Sequence, residues 1–172
     1  MKNIDQRVGV FIDVGNMYHS AKSLYNAKAN FYEIVKTGVA GRKLIRAIAY
    51  AVSAQISEES AFFEALKKAG IEVKLKDLQT FISGVKKGNW DVGMAVDMIM
   101  MAPKLDTVVL VSGDGDFKEL LHYIKAQGCR VEVISFEKST AAKLVEETDD
   151  FIDLSKNINR YIIRQVKSKK LK

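Results

Sequence analysis

The chain has 172 residues, 48% hydrophobic and 28% charged, with a net charge of +6, which suits one globular domain able to bury a real core. No apolar run reaches the roughly 18 residues of a membrane helix, and the first residues lack a signal-peptide layout, so no membrane role and a cytoplasmic location are expected. Cys129 is the only cysteine, which excludes an intramolecular disulfide and a thiolate zinc site.

Residues 8–14 form the first expected strand, a nearly continuous apolar run of the kind found in a central parallel strand. A helical pattern follows from Asn16 to about Lys36, broken near residues 26–30. Residues 45–52 read as a second strand and residues 58–69 as an amphipathic helix stopped by Gly70. Residues 71–78 alternate, with Ile71, Val73 and Leu75 set against Glu72, Lys74 and Lys76, the pattern of an edge strand with one wet face. A loop over 83–89 leads to an apolar helix, 92–102, stopped by Pro103. Residues 107–112 are a second nearly continuous apolar strand. A helix over 117–126, a strand over 130–136, a short helix over 139–147 and a minor strand over 151–154 complete the body. Residues 154–167 place Ile158, Ile162 and Val166 at helical spacing, so a terminal helix is expected. Seven of the 27 basic residues lie between Lys156 and Lys172, a stretch without an acid. Taking those seven away leaves 20 basic against 21 acidic residues, so the positive charge belongs to the tail. Such a tail either favours polyanions or is a solvated end.

Strands alternating with helices imply right-handed βαβ units, hence a three-layer α/β/α domain with a mainly parallel sheet of five to six strands. The division is a domain over 1–155 and a basic C-terminal helix or tail over 156–172. In such sheets sites form beyond the carboxyl ends of strands, where the strand order reverses. The first strand ends in Asp13 and Asn16, and the strand over 107–112 ends in Ser112, Asp114 and Asp116. In the helix over 92–102 Asp97 is the only ionisable residue. Apolar neighbours surround it, so it should be buried, and a lone buried carboxylate is costly unless a cation or partner compensates. Asp13, Asp97 and Asp114 are each awkward alone and natural together around Mg²⁺ or Mn²⁺, which prefer hard oxygen ligands. Replacing Asp97 by Asn should then relieve repulsion and stabilise the metal-free protein. Asp116 reads equally as a helix cap. Asp91 opens the same helix as Asp97 but points about 120° away, which makes it a cap or an outer neighbour of the site. Lys86 and Lys87 precede this helix and are placed to hold phosphates. His19 and His122 read as ordinary helix residues.

Together, Phe-Ile-Asp-Val-Gly-Asn (11–16), Lys-Lys-Gly-Asn-Trp-Asp-Val-Gly-Met-Ala-Val-Asp-Met (86–98) and Val-Ser-Gly-Asp-Gly-Asp-Phe (111–117) resemble the NYN domain, LabA-like branch, within the PIN-like nucleases. The resemblance runs from about Arg7 to Leu154. It implies a PIN-like fold and a metal-dependent ribonuclease, with catalytic roles on Asp13, Asp97, Asp114 and Asp116. It also implies that Asn16 orients the first aspartate or a substrate phosphate, and that Asp91 is the helix-opening aspartate. Trp90 departs from the pattern, where a smaller residue is expected. The expected partner is RNA, and a homodimer is compatible with the sequence. The alternative is a non-catalytic RNA-binding or regulatory module of the same fold. A receiver-like phosphoacceptor domain leaves Asp97 unexplained, and a phosphatase needs a second acid two residues after Asp13, where Gly15 stands.

Overall fold

The computed structural model describes residues 2–53, 59–77, 79–80, 82 and 86–164. In chain order the elements are β1 (Arg7–Asp13), α1 (Val14–Tyr25), β2 (Ala27–Ala29), α2 (Phe31–Val39), β3 (Lys43–Val52), α3 (Glu59–Lys68), β4 (Glu72–Lys76), β5 (Gln79–Thr80) and β6 (Lys86–Lys87). There follow α4 (Asp91–Met101), β7 (Thr107–Val111), α5 (Lys118–Ala126), β8 (Arg130–Ser135), α6 (Ala142–Glu147), β9 (Asp150–Asp153), α7 (Ile158–Tyr161) and β10 (Ile162–Arg164).

Six strands make one sheet in the order β4-β3-β1-β7-β8-β9, every pair parallel. From β1 the chain builds outward through β3 to β4, then returns to the other side of β1 with β7. The order therefore reverses between β1 and β7, the two strands with the most continuous apolar runs. β1 buries its five central residues and β7 all of its residues, because helices cover both faces. On one face Val10, Ile12 and Val109 meet Met17, Ile34 and Leu66 of α1, α2 and α3. On the other, Phe11, Ile48 and Leu110 meet Met94 and Met98 of α4, Leu121 of α5 and Leu144 of α6. The three-layer α/β/α expectation holds, and β4 is the edge strand that its alternation indicated. Among the described residues no helix is long and apolar enough to cross a membrane.

Two expectations are corrected. The terminal helix over 154–167 is replaced by a 3-10 turn, the single turn α7, and then β10, which pairs antiparallel with β2. The apolar spacing misled because Tyr161 and Ile162 are buried by two different backbone conformations in succession, whereas β2, in the break between α1 and α2, supplies an edge for pairing. The chain beyond Arg164 lies outside the described residues. The helix α4 is also not apolar all round in its surroundings: it buries Met94, Met98 and Met101 and leaves Val92, Val96, Ile99 and Met100 exposed.

Toward the amino ends of the strands, the Arg42 guanidinium forks onto Glu132 of β8, with Nη1 to Oε1 at 3.0 Å and Nη2 to Oε2 at 2.8 Å. Both side chains are fully buried. Arg42 donates also to the carbonyls of Gly38 and Val39, and Lys2 donates to Glu132 at 2.8 Å. Burial raises the Glu132 pKa, but Arg42 and Lys2 outweigh it and hold the pKa below its ordinary value. This group stabilises the fold at neutral pH, and the contribution is lost as pH falls through its lowered pKa. Glu132→Gln leaves the guanidinium buried without its counter-charge. The variant should lose about 3–5 kcal/mol, read as a lower urea midpoint at pH 7 with an unchanged slope.

Candidate functional site

The site is built where β1 and β7 end side by side, with Ile12 opposite Val111. Asp13 leaves β1 with extended backbone and becomes the N-cap of α1. Its Oδ1 accepts from the Asn16 N–H at 3.0 Å, and its Oδ2 accepts from the Ser112 hydroxyl at 3.3 Å. The Ser112 oxygen accepts in turn from the Asp114 N–H at 3.2 Å. Asp114 then caps the 3-10 turn Gly115–Phe117 by accepting from the Asp116 N–H at 2.9 Å. The Asn16 carboxamide oxygen crosses between the two corners and accepts from the Gly113 N–H at 3.0 Å. Gly113 has no room for a side chain: a Cβ there would lie 2.6 Å from the Ser139 carbonyl oxygen and 2.9 Å from Ser135 Oγ. The two strand ends are thus joined by one chain of hydrogen bonds, Asp13–Ser112–Asp114, with Asn16 as a second tie.

Above this junction lies a cleft of about 240 Å³, lined by Asp13, Asn16, His19, Trp90, Asp91 and Asp114 among others. The helices α1 and α4 both begin at its wall, so the positive ends of two helix dipoles face it. Asp91 lies in the first turn of α4, where that dipole favours an acid, and its Oδ2 accepts from Asn89 Nδ2 at 2.6 Å. Burial pushes the Asp13 carboxyl up to about 6, and the charges of Asp91 and Asp114 add to the rise against the hydrogen bonds from Asn16 and Ser112. Among the described residues the side chain and backbone donors to Asp13 are neutral and its charged neighbours are acidic.

The NYN domain model matches residues 7–155. The chain belongs to the NYN domain family. It is 27% identical over 164 residues to the Low amplitude and bright protein LabA of Synechococcus elongatus, covering 87% of this chain and 84% of that one. A solved structure of a protein of unknown function from Vibrio parahaemolyticus RIMD 2210633 superposes with a TM-score of 0.85 at 27% identity. That match covers 95% of this chain and 99% of the other. The layered architecture described above is consistent with a PIN-like fold.

This NYN domain brings Asp13, Asn16 and Asp114 together as the sequence indicated, but Asp97 is not with them. The Asp97 carboxylate accepts from Lys74 Nζ at 2.6 Å and from the Tyr50 hydroxyl at 2.7 Å, and it does not line the cleft. The acid from α4 that does so is Asp91, one turn and two-thirds earlier and about 120° round the helix. The expectation that Asp97 must be buried without a protein partner is corrected. It is about one-fifth exposed, and β3 and β4 supply its partners. Burial raises its pKa, but the hydrogen bonds from Lys74 and Tyr50 and the charges of Lys74 and Arg46 outweigh that and lower it. Asp116 points outward, is 81% exposed and stands 3.7 Å from Lys143. The cap of this turn is Asp114, so the cap reading of Asp116 is corrected, and Asp116 is not among the residues lining the cleft. Ser112, expected to touch substrate, is fully buried and positions the two aspartates instead. The Lys86 and Lys87 backbone forms β6 against β5, directly before Gly88, Asn89 and Trp90 on the cleft wall; their side chains lie outside what is described. His19, read as an ordinary helix residue, lines the cleft. Its spacing of three from Asn16 was the available signal, since residues three apart share a helix face.

Two outcomes follow from these charges. The raised Asp13 pKa means the folded chain keeps a proton that the unfolded chain releases near pH 4. The group's contribution is thus present at low pH and is lost as pH rises through about 6. In metal-free buffer at pH 8, Asp13→Asn should be more stable than the parent by about 1–3 kcal/mol, and the gain should vanish near pH 4. Equal urea midpoints for the two proteins across that range would refute it. Asp97→Asn should do the opposite of what the sequence indicated, lowering stability by about 1 kcal/mol at pH 7 through loss of the Lys74 pair, measured in the same titration.

Proposed function

We propose that this chain is a metal-dependent ribonuclease, hydrolysing RNA phosphodiester bonds in the cleft at the ends of β1 and β7. The observation that carries this reading is the uncompensated charge of Asp13 beside Asp91 and Asp114, at the meeting point of two helix N-termini. That combination suits a cation and a phosphate together. Among the described residues no three acidic, imidazole or thiol groups converge as a ready-made metal cage. The hard oxygen donors of Asp13 and Asp114 suit a hydrated Mg²⁺ or Mn²⁺, which keeps several waters and needs only one or two carboxylates. Asp13 and Asp114 would hold it, with Asp91 across the cleft. When bound, such an ion neutralises phosphodiester charge and makes a bound water more acidic.

The remaining roles belong to the protein. Ser112 and the Asn16 N–H fix the orientation of the Asp13 carboxylate, so it need not reorganise during reaction. The Asn16 carboxamide oxygen is engaged by Gly113, which leaves its NH₂ group to donate to a phosphate oxygen. The N-terminus of α1 favours the charge that develops there. Lys86, Lys87 and the basic tail would add sequence-independent attraction to the RNA backbone.

The same open donor set favours a second reading, a non-catalytic RNA-binding module. A quenched fluorescent RNA incubated with Mg²⁺ or Mn²⁺ separates the two. Cleavage should appear with either ion, stop with EDTA, and fall at least about 100-fold in Asp13→Asn, the scale of losing a preorganised charge contact. In Asp97→Asn, whose carboxylate lies outside the cleft, it should stay within about tenfold. RNA binding without cleavage under every metal condition would establish the second reading.

A further inference from the structure

Trp90 stands at a position where its presence costs local stability. It is the N-cap of α4 and makes no side-chain cap hydrogen bond, where Ser, Thr, Asp or Asn would stabilise the helix. It also imposes a glycine inside that helix. A Cβ on Gly93 would lie 2.6 Å and 2.9 Å from Trp90 Cε3 and Cζ3, and glycine within a helix is destabilising against alanine. Both costs serve one indole ring, and that ring is a wall of the cleft that holds Asp13, Asp91 and Asp114.

The ring is also held in place. Its Nε1–H donates to the Ala51 carbonyl at 2.7 Å. Tyr50 meets it edge-on with centroids 5.5 Å apart, and Lys76 Nζ lies over one face of the ring, 5.5 Å from its centroid, which leaves the other face for a base. Lys76 is oriented further by donating to the Asn89 carbonyl at 3.3 Å. A rigid, partly buried aromatic surface with an ammonium beside it, set at the wall of the cleft that holds the three aspartates, has the elements of a single-stranded nucleotide subsite. The base stacks on the ring and the backbone phosphate meets the cation.

We propose that Trp90 is the base-stacking platform of the cleft, seating one unpaired nucleobase so that an adjoining phosphate lies at the aspartates. This rests on the cleft being the RNA site. Trp90 is a positioning residue here, and a base still paired in a duplex cannot reach it.

Trp90 is the only tryptophan in the chain, so its emission reports the contact directly. The test is a titration of the full chain in Ca²⁺, a hard cation that takes oxygen ligands, with a short single-stranded RNA, and with an abasic strand of equal length and charge. Binding is followed in parallel by electrophoretic mobility. The base-bearing strand should quench the Trp90 emission. The abasic strand should leave it unchanged and bind more weakly, by roughly 5- to 150-fold, the range of one base–aromatic stack. Trp90→Phe should retain most of that preference and Trp90→Leu should lose it. If both strands bind equally and change the emission alike, Trp90 only packs, and the inference falls while the cleft remains an RNA site. If neither strand binds by mobility, the RNA reading falls and takes this inference with it. Should Trp90→Leu fail to fold, the comparison of the two strands on the parent protein decides alone.

Discussion

The parallel pairing of β1 with β7 is the constraint on which the site depends. It sets Ile12 opposite Val111, so that the next residues, Asp13 and Ser112, leave the sheet together. β1 turns at once into α1, capped by Asp13, and β7 passes through Ser112 and Gly113 into the 3-10 turn capped by Asp114. A capping aspartate must sit at the helix start with its carboxylate turned to the backbone N–H groups. Two such caps on adjacent strands therefore place two carboxylates at one point of the sheet edge. The reversal of strand order opens the space above them. The clustering of charge is a consequence of chain path and capping before any ligand is considered.

The two ends of the sheet treat buried charge in opposite ways. Toward the amino ends, Glu132 is surrounded by Arg42, Lys2 and Arg130, and its pKa lies below the ordinary value. At the carboxyl ends, Asp13 has neutral donors and acidic neighbours, and its pKa is raised to about 6. Burial opposes ionisation at both places, so the difference lies in the partners. The paired end holds the sheet together. At the other end Asp13, held by neutral donors beside acidic neighbours, carries a stability cost, a departure from the rules that the rest of the fold obeys.

Much of the fold was legible because its signals are local. The continuous apolar runs of β1 and β7, the alternation of β4, and Gly70 and Pro103 as stops all depend on neighbours in sequence. What was misread depended on distant partners. Ile158 and Ile162 share helical spacing, but the three residues Ala27–Ala29 offer a pairing edge far earlier in the chain, and β10 takes it. Asp13, Asn16 and Asp114 were legible as candidate site residues because strand ends are visible in the sequence. Asp97 was misplaced because its partners, Tyr50 and Lys74, sit on two other strands whose register no local pattern reveals. His19 was missed because a helix face has meaning only once the cleft it faces is known.

The misplaced residue still bears on the site through helix geometry. Asp97 is tied to β3 and β4 by Tyr50 and Lys74, and Lys74 also lies 5.9 Å from the Tyr50 ring centroid. Those ties oppose rotation of α4 about its axis. Asp91 is six residues earlier, about 120° round the helix, so fixing Asp97 against the sheet also fixes the direction of Asp91. At the head of the same helix, Trp90 is pinned to the Ala51 carbonyl, which stops the first turn from sliding along β3. One acid set in an apolar helix thus acts as a peg at a distance, and the acid at the head of that helix is the one presented to the cleft. The acid of α4 that lines the cleft is therefore one and two-thirds turns from the acid that its apolar surroundings make conspicuous.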